Sequence, residues 1–205
     1  MKTKRFLLYA ALITGFNVVL LQLVGMNRAG QEMSAQDAKM MEQMMKYGSP
    51  AKEHELLKKY VGEWDVETSA WQDPTAPPQK SKATMKNTLI FDGRYVKCSF
   101  EGEMSGMKFQ GLEVIGYDLF KKMYTTFWID SWSTAFMVTT GTLDPSGQVL
   151  TETGTFPDPM TDGKTMQKVR NVTTFMGDGS YRFEMFMVMP DGKESKGMEM
   201  VCKRK

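Results

Sequence analysis

From residue 62 onward the chain alternates polar and apolar residues with a period of two, and only turn signals interrupt the alternation. GEWDVETSAW sets the pattern: Trp64, Val66, Thr68 and Ala70 fall on one side, and Asp65, Glu67 and Ser69 on the other. Successive side chains of a strand point to opposite faces, so this period marks half-buried strands. After a proline-rich loop, DPTAPPQ (73–79), come KATMKNTLIF, RYVKCSFEG, MKFQGLEVIGY, KMYTTFWID, STAFMVTTGTL, QVLTETGTF, KTMQKVRNVTTF, SYRFEMFMVM and SKGMEMVCK. Asp92-Gly93, Asp144-Pro145-Ser146-Gly147, Asp162-Gly163, Gly177-Asp178-Gly179 and Asp191-Gly192 punctuate them, and such pairs favour hairpin turns. A spacing of ~8–14 residues with no helix between predicts an antiparallel meander of about ten strands.

A meander of that size cannot remain an open sheet without exposing two unpaired edges. Closing it into a barrel removes both, and a barrel of more than about eight strands leaves room for a ligand. No long return connection of the Greek-key kind is visible, which disfavours a two-sheet sandwich. The expected fold is therefore all-β: an up-and-down barrel over residues 62–205. Its presumed inner faces carry Phe100, Trp128, Phe136, Phe183, Met185 and Met187, with few polar interruptions.

Ahead of the barrel, residues 33–61 read as a helical lead-in. Met33, Met40, Met41, Met44 and Met45 follow the spacing of one apolar helix face, Gly48-Ser49-Pro50 breaks it, and AKEHELLKKYVG forms a second short helix. Residues 1–32 differ again. MKTKR is followed by Phe6 to Val24 without a charge, the pattern of an export signal. The run nearly reaches the ~20 residues that span a bilayer, so a cleaved signal and an uncleaved anchor both fit. Either form places the remainder outside the cytoplasm, with membrane contact only through residues 6–24 if the segment is retained.

Charge removes one class of partner. Lys2, Lys4, Arg5 and Arg28 supply the positive balance of residues 1–31, leaving 22 basic against 24 acidic residues in the rest. A near-neutral domain has no electrostatic footprint for nucleic acid. With 41% apolar residues, however, the chain can bury a substantial core. The only histidine, His54, lies in a charged helix, so no Ser-His-acid or Cys-His set is evident. No cluster has zinc-ligand spacing, and the methionines of the first helix read as a packing face ahead of a copper site. No cofactor is expected. Cys98 and Cys202 each sit on an apolar strand face, compatible with two buried thiols or one disulfide.

Several stretches in order, HELLKKYVGEW (54–64), FDGRYV (91–96), GLEVIGYD (111–118), KKMYTTFWIDSWST (121–134) and KGMEMVCKRK (196–205), resemble domain-of-unknown-function family 1579. The likeness covers about residues 40–205. It implies a lipocalin-like barrel, frequently exported, and no established activity. Gly62-Glu63-Trp64 also resembles the G-x-W entrance of lipocalins and fatty-acid-binding proteins, whose tryptophan plugs one barrel end. The haem-binding nitrobindins share that entrance, but their haem ligand is a histidine of a late strand, where this chain has none.

The functional expectation is a small apolar or amphipathic ligand held in the barrel without catalysis. Trp64, Tyr117, Trp128, Asp130 and Arg170 are the candidate binding residues. Asp130 sits where the fifth strand should turn tightly into the sixth, so it reads first as a turn former and second as a polar anchor beside Trp128. Arg170 would suit a ligand carboxylate if its face points inward, although Gln167, Val169, Asn171, Thr173 and Phe175 form an equally apolar alternative. Two other classes compete. One is an enzyme with Asp130, Glu113 or Tyr117 as a general acid or base. The other is a structural envelope protein.

Overall fold

The computed structural model describes residues 34–104, 106–189 and 191–205; the expected export segment and Met33 lie outside them. Residues 49–205 form one compact unit, and the helix α1 (Ala35–Gly48) belongs to another. Within α1, Ser34 Oγ accepts the Asp37 N–H at 3.2 Å, the arrangement that caps a helix start. None of its residues is buried.

The compact unit is a closed barrel of ten antiparallel strands. They are β1 (Gly62–Ala70), β2 (Gln79–Ile90), β3 (Tyr95–Met104), β4 (Met107–Asp118), β5 (Met123–Asp130), β6 (Met137–Leu143), β7 (Val149–Pro157), β8 (Met166–Phe175), β9 (Tyr181–Val188) and β10 (Glu194–Arg204). Each strand pairs with its sequence neighbours, and β1 closes the ring on β10 from Trp64↔Arg204 to Ala70↔Met198. The period-two pattern thus became the meander it predicts, and closure left no strand edge exposed.

One departure lies between β5 and β6. The expected tight hairpin is a six-residue excursion, 131–136, because Asp130 Oδ1 accepts the backbone N–H groups of Trp132 and Ser133 and turns the chain outward. β6 therefore begins at Met137, and Phe136, expected on the inner face of a strand, lies in this connection, 64% exposed at the edge of the cavity.

Opposite ends of the barrel are built differently. At one end a 3-10 turn (Lys52–Leu56) and a single α-helical turn, α2 (Leu57–Tyr60), replace the expected second helix and bury His54, Leu56, Leu57 and Tyr60. Trp64 Nε1 and Asn87 Nδ2 both donate to the Tyr60 carbonyl, at 2.8 and 2.9 Å, tying this cap to β1 and β2. Tyr181 meets the Trp64 ring edge-on at 4.9 Å, and the Arg204 guanidinium lies over it at 4.3 Å. Gly62 has φ +136°, and the Arg204 side chain occupies the space a Cβ would need. The glycine and tryptophan of the G-x-W entrance are thus two parts of one plug. The other end carries the connections 71–78, 131–136 and 158–165.

Candidate functional site

Ten strands enclose more space than their inward side chains fill. A cavity of about 450 Å³ runs from the loop-bearing end down to Tyr60, a volume in the usual range for small-molecule sites. Its upper walls are aromatic and thioether groups, among them Met104, Phe109, Trp132, Phe136, Met185 and Met198. Phe109 stacks on Trp128 at 6.3 Å and meets Trp132 edge-on at 5.2 Å. Trp128 lies flat against the β4 wall because residue 111 is glycine; a Cβ there would collide with the indole.

Among these apolar walls the cavity also carries polar groups. Glu113 of β4 and Glu152 of β7 both face inward, with Thr68, Thr126, Asn171 and Thr173 around them. Thr139 Oγ1 donates to Glu152 Oε1 at 3.3 Å. The Thr126 hydroxyl faces the same carboxyl and favours its charged form, although no hydrogen bond of ordinary geometry joins them. Glu113 retains some surface, but that surface borders the cavity and protein surrounds it on all sides. Burial, and then the nearby Glu152, push its pKa up to about 7, and burial also raises that of Glu152.

Several of the protein's own donors near this cluster are already committed. Cys98, directly opposite Glu113 in the β3–β4 register, hydrogen-bonds that carboxyl, and burial raises the thiol pKa well above its ordinary value. Tyr60 bonds to Thr173, and Tyr181 OH approaches Met85 Sδ at 4.0 Å. By contrast Thr68 Oγ1, Thr126 Oγ1 and Asn171 Oδ1 make no hydrogen bond within the protein, although their residues are only 3%, 5% and 3% exposed. A buried polar atom without a partner costs ~1–3 kcal/mol. Among the described residues no Lys, Arg or His lines the cavity.

The sequence-derived candidates separate accordingly. Trp128 and Asp130 line the cavity together, joined by a 2.9 Å bond from Trp128 Nε1 to Asp130 Oδ2, so Asp130 serves the turn with one oxygen and the rim with the other. Trp64 is sealed in the plug, 1% exposed, and does not border the cavity. Tyr117 shares the inward face but sits at the capped end, edge-on to Tyr124 and His54. There it borders a broad outer depression with Lys52, Glu55 and Lys59, too open to enclose a ligand. Arg170 is a correction. The inner face of β8 is that of Val169, Asn171, Thr173 and Phe175, so Arg170 points outward, where Nε donates to Glu194 Oε1 at 2.7 Å and the guanidinium lies over Phe186.

The expectation of few polar groups inside also fails, since it overlooked Glu152. A signal was present, because Leu150, Glu152, Gly154 and Phe156 alternate with threonines and place one acid on an apolar face. Glu113 was harder to place, for both faces of GLEVIGY are apolar. His54 is 7% exposed; its Nδ1 accepts the Ala51 N–H at 3.0 Å, and burial lowers its pKa, so it caps the 3-10 turn as a neutral ring. Both cysteines are buried free thiols. The described residues contain no group of three or more His, Cys, Asp or Glu arranged to hold a metal.

The crystal structure of Rv2717c from M. tuberculosis superposes with a TM-score of 0.52 at 12% identity, covering 77% of this chain and 99% of that one. At that identity the likeness establishes a shared barrel and nothing about ligands. No curated protein matches the chain in sequence. The model of one family, described as a protein of unknown function (DUF1579), matches residues 49–204, the whole barrel with its cap, and the chain belongs to that family.

Proposed function

We propose that this protein is an exported binding barrel for a small apolar or amphipathic ligand. The enclosed cavity carries the reading: its upper walls are aromatic and methionine side chains, which shape themselves to apolar groups, and it opens at the loop-bearing end. Export rests on the basic MKTKR followed by the uncharged run Phe6 to Val24. The neutral fluorophore N-phenyl-1-naphthylamine tests the binding claim. Its emission should rise and shift to the blue on addition of folded protein, saturating at one site with a micromolar Kd. Absence of saturable binding by folded protein sinks the reading and favours a structural role in the envelope.

Catalysis is the second reading, favoured by a Glu113 pKa near 7, where a carboxyl can give and take protons at neutral pH. The adjacent Cys98 speaks against covalent chemistry, because burial holds it as the unreactive thiol.

A further inference from the structure

We propose that Glu113 and Glu152 form, inside the cavity, a subsite for the ammonium head of a primary amine, whose hydrocarbon tail lies between the aromatic and methionine walls. The inference rests on the binding reading just given and names its ligand class.

Three observations carry it. Inward carboxyls stand on two separate walls, Glu113 on β4 and Glu152 on β7, and Asn171 pairs directly with Glu152 in the β7–β8 register. Asn171 Oδ1, Thr68 Oγ1 and Thr126 Oγ1 are unpartnered, nine-tenths or more buried, and line the same space. Meanwhile several neighbouring donors are spent, Cys98 on Glu113, Thr139 on Glu152, Tyr60 on Thr173 and Trp128 on Asp130, which leaves only the neutral hydroxyls of Thr68 and Thr126 among those named. The site offers acceptors and negative charge, and what it lacks is positive charge.

An ammonium brings three donors and one positive charge in a compact head. It offers hydrogen bonds to acceptors of this cluster and offsets the cost of burying the carboxyls, since a cation between them favours their charged forms. A fatty acid or phosphate monoester would do the reverse, adding a negative charge where no Lys, Arg or His faces it.

Proton linkage gives the proposal a signature. The groups facing Glu113 are Cys98 from β3, Glu152 from β7, Tyr60 from α2 and Tyr181 from β9, with Cys202 of β10 behind Tyr181. None of them is a cation. A bound ammonium favours the ionised carboxyls and expels the protons they hold, so amine affinity rises with pH through the region near 7, until the amine itself deprotonates above about 10.

Displacement of N-phenyl-1-naphthylamine by four twelve-carbon amphiphiles, all below micelle formation, tests this. Dodecylamine should compete at least about tenfold better than dodecanoate at pH 8, with dodecanol and dodecyltrimethylammonium between them, since one lacks charge and the other donors. The preference for dodecylamine over dodecanoate should narrow at pH 5.5. In Glu113→Gln/Glu152→Gln it should shrink to within about twofold while the neutral probe still binds, which shows the variant folded. Equal or tighter binding of dodecanoate, or a preference unchanged in the double variant, overturns the ammonium subsite and leaves the binding barrel intact. If neither probe nor any amphiphile binds, the binding barrel itself falls.

Discussion

The two halves of this barrel are made of similar residues put to opposite ends. At the capped end most polar groups find partners inside the protein: Trp64 Nε1 and Asn87 Nδ2 on the Tyr60 carbonyl, Tyr124 OH on the Glu53 carbonyl at 2.8 Å, His54 on Ala51, with Asn87 Oδ1 the exception. In the cavity, hydroxyls and an amide oxygen of comparable burial are left without partners, beside aromatic rings that enclose space instead of filling it. Satisfied buried groups rigidify a structure, whereas unsatisfied ones cost stability until something outside the chain completes them. One end holds the fold together and the other is costly to maintain.

Removing the largest member of the plug should break that contrast most severely. Trp64→Ala deletes a fully buried indole, its bond to Tyr60 and its contacts with Tyr181 and Arg204, and should cost ~3–5 kcal/mol in denaturant unfolding. An unchanged midpoint would mean that the capped end does not carry the stability assigned to it.

The cavity should behave with the opposite sign. Glu113 ionises at about 7 when folded against an ordinary value of 4.5, so the folded state holds the proton across that interval and the unfolded state does not. Stability therefore falls as pH rises from about 4.5 to about 7, by about 3 kcal/mol from this group. His54, its pKa lowered by burial, contributes the reverse trend just below 6.5. The difference between wild type and Glu113→Gln isolates the carboxyl: the variant should gain on wild type between pH 5 and 8. Parallel pH profiles would show that Glu113 is not desolvated.

Arg170→Ala sharpens the comparison from outside both regions. It breaks a partly exposed ion pair with Glu194, worth ~1 kcal/mol or less, and should leave probe binding unchanged. Weakened binding would return Arg170 to the interior.

How these regions show themselves in the sequence differs for a physical reason. All ten strands were legible, because alternation and Asp-Gly turns are local and closure follows from the cost of edges. The plug was legible through Gly62 and Trp64, a contiguous motif. The cavity floor was not, because Glu113, Glu152 and Asn171 come from β4, β7 and β8 and meet only when the ring closes. Arg170 and Asn171 show the finer limit. With apolar residues on both faces of KVRNVTTF, a shift of one position exchanges inside for outside, and only pairing with β7 and β9 decides between them.

The seam between β1 and β10 also sets a clock. Every other strand pair joins neighbours in sequence and can form as soon as a hairpin is made, but Trp64 meets Arg204 only when both ends of the barrel chain are present. Such distant pairing is slow to find, which places folding in the millisecond-to-second range typical of non-local β topologies. Until that last pairing the plug lacks Arg204 over its indole, and β1 and β2 through β9 present a sheet with two bare edges. The chain can become native only once β10 is free to pair with β1, whatever earlier hairpins have assembled.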